Sequence, residues 1–140
     1  MNGQLKIVNG IGFNELESSS KKMNIKNYNT YGKKPFTIAV VHGGPGAAGE
    51  MTPVAKKLAV HWGVLEPLQT AASIEGQLEE LKNILEAKGD VPIQLIGFSW
   101  GAWLGYLFAA KFPDLVKKLI LIGSGSFDEK YANKILRACF

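Results

Sequence analysis

A serine framed by glycines, lying where an apolar run meets a helical segment, constrains this fold more than any other feature of the chain. The stretch Gly97–Gly101 reads Gly-Phe-Ser-Trp-Gly and matches G-x-S-x-G. It lies between a predicted strand, Pro92–Phe98, and a predicted helix, Trp100–Phe112. Such a sharp turn strains its central residue, and side chains two positions away on either side would collide. The context predicts that the hydroxyl of Ser99 is lifted above the carboxyl end of a sheet.

The rest of the chain alternates apolar strands with amphipathic helices. The run Phe36–Val41 is uninterrupted and rich in β-branched residues, which is typical of a strand buried on both faces. A helix is predicted from Thr52, with Thr52 as N-cap and Pro53 at the first helical position. Further elements are a strand at Gly63–Leu65, a helix from about Ile74 to Gly89 and a strand at Leu119–Ile122. This order predicts a mostly parallel sheet with helices on both faces.

The domain organisation is simple. No internal repeat or low-complexity linker divides the chain, so residues 1–140 are predicted to form a single domain. Residues 1–34 are polar, with short strand-like pieces around Leu5–Val8 and Ile25–Tyr31, and are predicted to be peripheral strands.

Composition excludes several classes of function. The net charge of +4 comes from dispersed lysine pairs rather than a basic tract, so no nucleic-acid partner is predicted. The single Cys139 and the lack of a Cys/His ligand set predict no metal site. No secretory signal and no apolar stretch of about 18 residues is present. We therefore expect a cytoplasmic protein with no membrane partner.

A second motif, His42-Gly43-Gly44-Pro45-Gly46, follows the strand Phe36–Val41. It resembles the H-G-G-P-G sequence of proline iminopeptidases and related α/β-hydrolases, and the resemblance covers about residues 25 to 127. It implies the α/β-hydrolase fold, with the Gly44 amide as one donor to the oxyanion. The Trp100 amide, at a helix N-terminus, is the second predicted donor. The resemblance implies that the loop after the strand Phe36–Val41 is shaped by His42, Gly43, Pro45 and Gly46. The turn at Ser99 is expected to be shaped by Gly97 and Gly101.

The resemblance implies hydrolysis of an acyl ester or amide through a Ser99 acyl-enzyme, of esterase or aminopeptidase type. A serine at the elbow argues against haloalkane dehalogenases and epoxide hydrolases, which use an aspartate there. A small-molecule substrate is implied, with no metal and no organic cofactor.

The family's remaining catalytic residues are missing from the expected places. Its triad order is Ser, then Asp or Glu, then His, but no histidine follows Ser99. The resemblance gives His42 a loop-shaping role, and His61 is expected to be structural. Asp128 is a candidate acid. We expect a fold truncated after about the sixth strand and an inactive isolated chain, with a catalytically dead fragment as the alternative.

The strand Leu119–Ile122 should then be an apolar sheet edge, which favours self-association.

A dinucleotide-binding oxidoreductase domain is a competing interpretation of the same loop. Gly44–Gly49 also fits G-x-G-x-x-G after a strand, and Glu66 lies at the spacing of a ribose-binding acid. However, the helix is predicted to start only at Thr52, and pyrophosphate must lie directly on a helix N-terminus. Pro45 also removes an amide from the cradle. This alternative leaves the turn at Ser99 unexplained.

Overall fold

The computed structural model describes residues 26–44 and 46–128. Within them the chain alternates strands and helices as predicted. The elements are β1 (Tyr28–Tyr31), β2 (Phe36–Val41), α1 (Thr52–Leu58), β3 (Gly63–Pro67), α2 (Ile74–Lys88), β4 (Ile93–Phe98), α3 (Trp100–Lys111), a 3-10 turn (Pro113–Leu115) and β5 (Val116–Ile122). The strand expected around Leu5–Val8 lies outside the described residues.

The strands form a single sheet in the order β1-β3-β2-β4-β5. β1 runs antiparallel to β3, whereas the pairs β2–β3, β2–β4 and β4–β5 are parallel. The predicted mostly parallel sheet is therefore confirmed. Because β2 to β5 run in one direction, the loops that follow these four strands meet at one edge of the sheet.

Both faces of the sheet carry a hydrophobic core, as its apolar central strands require. β2 contributes to both, since Ala39 and Val41 pack on one face and Ile38 and Val40 on the other. One core contains the apolar sides of α2 and α3, and the other contains Ala55 of α1. Helices therefore cover both faces, which confirms the predicted layer arrangement.

The start of α1 differs from the prediction that Thr52 is its N-cap. Met51 holds the cap position, Thr52 is the first helical residue, and no side-chain cap hydrogen bond is formed. The Thr52 hydroxyl instead donates to the carboxylate of Glu66, at 3.0 and 3.1 Å from its two oxygens. A tertiary hydrogen bond replaces the local cap that sequence preference favoured.

β5 begins at Val116, earlier than the predicted Leu119, because Val116 already pairs with Ile93 of β4. Within the described residues β5 has a neighbouring strand on one side only. Ile120, Leu121 and Ile122 are 39%, 36% and 42% exposed, so this edge presents apolar side chains.

Candidate functional site

Ser99 lies in the turn between β4 and α3 with an unusual backbone. Its φ of 51° and ψ of −115° make it the only non-glycine residue with positive φ among the residues described. The residue is exposed, and its side chain makes no capping hydrogen bond to α3. A serine that served only as N-cap would bond the first turn of the helix. The hydroxyl thus stands at the edge of the sheet where the parallel strands end.

The two glycines of the turn allow its backbone segments to touch. A Cβ on Gly97 would lie 2.2 Å from the carbonyl oxygen of Gly101, and a Cβ on Gly101 would lie 2.3 Å from that of Val41. Both distances are far below van der Waals contact with backbone atoms, which cannot rotate away. No larger residue fits at either position without moving β4, α3 or the end of β2.

The loop after β2 lies directly beside Ser99. A Cβ on Gly43 would be 3.4 Å from Cβ of Ser99. In the described part of the chain no heavy atom lies within 4 Å of the corresponding point on Gly44, so Gly44 borders open space. The backbone turns at Gly46, where φ is 85° and glycine is favoured. Pro45 lies outside the described residues. The fold therefore brings together the two motifs that the sequence singled out.

The two glycine amides of this loop have different surroundings. The amide of Gly43 donates a 2.9 Å hydrogen bond to Oε2 of Glu50. No acceptor in the described chain engages the amide of Gly44. At the other motif, Trp100 is the first residue of α3, where helix amides have no carbonyl one turn before them. Among the described residues, the amides of Gly44 and Trp100 are both left without a protein acceptor.

His42 is fully buried and both of its ring nitrogens are engaged. Nε2 accepts a 3.1 Å hydrogen bond from the amide of Gln69, so Nδ1 carries the proton and donates to the carbonyl of Gly43 at 2.9 Å. The Gln69 side chain also donates to the carbonyl of His42. The ring joins the loop after β2 to the loop after β3 and has no nitrogen to offer to Ser99.

Trp100 is held through its side chain as well. Its indole Nε1 donates a 2.9 Å hydrogen bond to Oε1 of Gln77, and Nε2 of Gln77 donates to the carbonyl of Ala71. Gln77 is 8% exposed, so this polar bridge is shielded from water. It connects α2 to the first residue of α3. From the sequence, Gln77 was placed only within the predicted helix from about Ile74 to Gly89, and this contact was missed.

The carboxylate of Glu66 is hydrogen-bonded by side chains of this same chain. Glu66 is fully buried on β3, and its carboxylate accepts hydrogen bonds from Tyr31 at 2.6 Å, from Asn29 at 3.3 Å and from Thr52. Burial raises the pKa of the Tyr31 phenol, and the bond to Glu66 raises it further. These donors surround the carboxylate that the dinucleotide interpretation assigned to a ribose. That finding, with α1 starting at Thr52, removes the support for the interpretation.

The other titratable candidates lie in different places. His61 precedes β3 and lines a cavity of about 600 Å³ at the amino end of the parallel strands, opposite to Ser99. Asp128 follows β5 and is exposed at the same edge as Ser99. The amide of Asp128 donates a 3.1 Å hydrogen bond to Oγ of Ser126. The fold separates His61 from the site and places Asp128 at the same edge as Ser99.

Glu50 is the charged residue of the site that sequence analysis missed. Its Oε2 lies 2.6 Å from the point where a Cβ on Gly43 would be, and the same point is 3.4 Å from Cβ of Ser99. Glu50 and Ser99 therefore flank one glycine. The available signal was a single acidic side chain in a loop made otherwise of small and apolar residues after His42.

Among residues 26–44 and 46–128, no group of three or more His, Cys, Asp or Glu side chains is placed to hold a metal ion. None of the helices there is long and apolar enough to cross a membrane.

Comparisons with known proteins agree with the fold. A family model described as the alpha/beta hydrolase fold matches residues 19–137. A curated relative, pyrrolizixenacetamide deacetylase of Xenorhabdus hominickii, is 33% identical over 107 residues, which are 66% of this chain and 39% of the relative. The chain thus spans about two fifths of that relative's length.

Solved structures with the same fold include enzymes of different chemistry. The thioesterase domain from the curacin biosynthetic pathway matches with a TM-score of 0.61 and 23% identity, over 80% of this chain and 47% of that one. An M145A mutant of an epoxide hydrolase from Bacillus megaterium matches with a TM-score of 0.58 and 21% identity, over 67% and 37%. At this identity the likeness concerns the fold alone.

Proposed function

Since the chain belongs to the α/β-hydrolase fold family, we propose that its site performs serine-dependent hydrolysis of an acyl ester or amide. The observation that carries the proposal is the strained, exposed Ser99 at the carboxyl edge of the sheet, beside Gly43 of the loop after β2. A non-glycine residue at positive φ costs on the order of 1–3 kcal/mol, and such strain persists mainly at functional sites.

In the proposed reaction the Ser99 oxygen attacks the carbonyl carbon of the substrate. The carbonyl oxygen becomes an oxyanion and accepts hydrogen bonds from the amides of Gly44 and Trp100. Collapse expels the alcohol or amine and leaves an acyl group on Ser99, which water then removes. The engagement of the Gly43 amide by Glu50 supports Gly44 as the donor, because Gly44 is the next amide and borders open space.

Neither of the two histidines of the chain is placed to act as a base for Ser99. No histidine follows it in the sequence, the ring nitrogens of His42 are occupied, and His61 lies at the opposite end of the strands. Loss of the catalytic histidine costs on the order of a millionfold in turnover in a serine protease of a different fold. We therefore propose that the isolated chain turns over poorly. Asp128 remains the proposed acid, by its place after β5.

The substrate is proposed as a class only. The relative from Xenorhabdus hominickii is named a deacetylase, and an acetyl group is an acyl group of the proposed class. The His42–Gly46 motif supports an aminopeptidase-type substrate within that class. The serine at position 99 supports acyl chemistry over the chemistry of hydrolases that use an aspartate there.

The test is slow acylation of the 140-residue chain by an activated ester such as p-nitrophenyl acetate, mapped by mass spectrometry. We expect acetylation of Ser99 to be faster than that of the exposed Ser73 in the same molecule. Ser99→Ala should remove the fast adduct. Gly44→Ala should keep the stability of the chain, since the added methyl group meets no atom, yet slow Ser99 acylation by about tenfold or more by obstructing the oxyanion site.

Equal acylation of Ser99 and Ser73 would contradict the proposed nucleophile and favour a catalytically dead protein. Ser99-dependent turnover at ordinary enzyme rates would contradict the missing base instead, and would imply a base other than His42 or His61.

A further inference from the structure

Glu50 has no part in the proposed bond-making steps, yet it is held close to them. The side chain is exposed, and its Oε2 accepts a 2.9 Å hydrogen bond from the Gly43 amide, which favours one position of the carboxylate. Gly43 has Ser99 on its other side, with 3.4 Å between Cβ of Ser99 and the Cβ position of Gly43. A unit negative charge is therefore fixed within a few ångströms of the carbon that bears the attacking oxygen.

Among the described residues, the loops at this edge hold no positive charge that would neutralise the charge of Glu50. Within the described residues, the loops that follow β2, β3, β4 and β5 carry two charged side chains, Glu50 and Asp128, and both are acidic. The ring of His42 is neutral by its hydrogen bonds. Lys26 lies at this end too, but beside β1, three strands away from β4. Lys33–Lys34 line the cavity at the opposite end.

A substrate at Ser99 must therefore place the groups next to its scissile carbonyl in a negative field. Two unit charges about 6 Å apart in water interact by enough to change an equilibrium constant about threefold, and by more where water is partly excluded. The sign of this effect depends on the substrate: an ammonium group binds more tightly in the negative field, and a carboxylate binds more weakly. The overall charge of +4 hides this local acidity.

We propose that Glu50 is the charge filter of the site, selecting substrates with a protonated amine near the scissile carbonyl over those with a carboxylate there. The inference rests on the proposed function, because it needs Ser99 as the reacting group. Glu50 acts on the choice of substrate. It moves no proton in this role, and its bond to Gly43 keeps the charge in place.

The test uses three phenylboronic acids that differ at the meta position, where they carry an aminomethyl, a methyl or a carboxylate group. Boron accepts an electron pair from the Ser99 oxygen and the hydroxyl proton passes to solvent, so no protein base is required. Dissociation constants are measured by calorimetry on the 140-residue chain and on its variants. We expect the aminomethyl compound to bind about threefold more tightly than the methyl compound, and the carboxylate about threefold more weakly.

Glu50→Gln should bring the three affinities close together, because glutamine keeps an oxygen for the Gly43 amide but loses the charge. Glu86→Gln, on the exposed side of α2, removes the same charge elsewhere and should keep the wild-type order. If Glu50→Gln keeps that order, or if the wild-type chain does not discriminate, the charge filter is wrong. Ser99→Ala separates the two proposals: unchanged binding of all three compounds in this variant would overturn the proposed nucleophile.

Discussion

The main-chain amide of Ser99 donates a 2.9 Å hydrogen bond to the carbonyl of Ile122, the last residue of β5. The carbonyl of Ser99 accepts from the amide of Ala102 in the first turn of α3, at 3.0 Å. The strained residue is thus tied to a strand on one side and to its own helix on the other. Both contacts depend on the assembled sheet and helix. They hold Ser99 in a backbone conformation that a serine rarely adopts without such restraints.

Replacement of Ser99 should reveal this strain. We expect Ser99→Gly to be more stable than Ser99→Ala by about 1 kcal/mol, because glycine adopts positive φ without a clash and alanine does not. The measurement is urea unfolding of both variants, with each free energy of unfolding compared with that of the wild-type chain. Equal stability of the two variants would mean that the turn is not strained.

The contact between Gly101 and the end of β2 gives a second prediction. Gly101→Ala should lower the free energy of unfolding by about 3 kcal/mol or prevent folding, since its methyl group would lie 2.3 Å from the carbonyl oxygen of Val41. Gly105→Ala, on the same helix, meets side-chain carbons at 3.3 Å or more. It should cost less than about 1 kcal/mol, because side chains can move and alanine favours helix. Similar losses for both variants would refute the steric explanation.

Tyr31 and Glu66 predict a fall in stability at alkaline pH. Burial and the bond to Glu66 raise the pKa of Tyr31 above its ordinary value of 10.0. The folded chain therefore holds this proton more tightly than the unfolded chain, and the stabilisation is complete below pH 10.0 and lost as pH rises through the folded pKa. Unfolding free energies at pH 8 and above pH 10 measure this loss.

Tyr31→Phe is the variant that isolates this effect. It should lower stability at pH 8 by about 1.5–3 kcal/mol, the range for a hydrogen bond to a charged group, and should show a smaller alkaline loss than the wild-type chain. Tyr106→Phe, in which the changed ring is 47% exposed, is the control and should keep the wild-type pH profile. An unchanged profile in Tyr31→Phe would contradict the assignment.

The exposed edge at β5 predicts self-association of the 140-residue chain. Ile120, 39% exposed on the outermost described strand, offers an apolar side chain at an edge that no other described strand pairs with. Ile120→Lys should shift light scattering toward the monomer, because a lysine on an edge strand opposes strand addition. A wild-type chain that is monomeric at high concentration would contradict this prediction.

Much of the fold followed from local patterns in the sequence. β2 was predicted at the bounds that the structure has, because a run of five apolar residues and one threonine ends at a histidine and two glycines. The ends of α3 and β4 were predicted within a residue or so, since glycine and proline terminate elements locally. The N-cap of α1 was predicted wrongly, because Thr52 bonds Glu66, and no local rule reports a partner from another strand.

The residues of the candidate site likewise fall into those that the sequence predicted and those that it did not. The motifs at Ser99 and His42 were visible because each is a short run of residues, and steric rules act over such short distances. Glu50, Gln69 and Gln77 were missed as site residues, although they bond Gly43, His42 and Trp100 in the folded chain. Each of these bonds joins residues from different elements or from opposite ends of a loop.

The sequence by itself determined the alternation of strands and helices, the sharp turn at Ser99 and the glycine-rich loop after β2, because backbone sterics and hydrophobic periodicity depend on near neighbours in the chain. The tertiary structure alone decided that the two loops meet beside Gly43, that Glu66 is saturated by its own chain and that Glu50 places a negative charge next to Ser99. Those outcomes depend on strand order and crossover direction, which set distances between residues that are far apart in sequence.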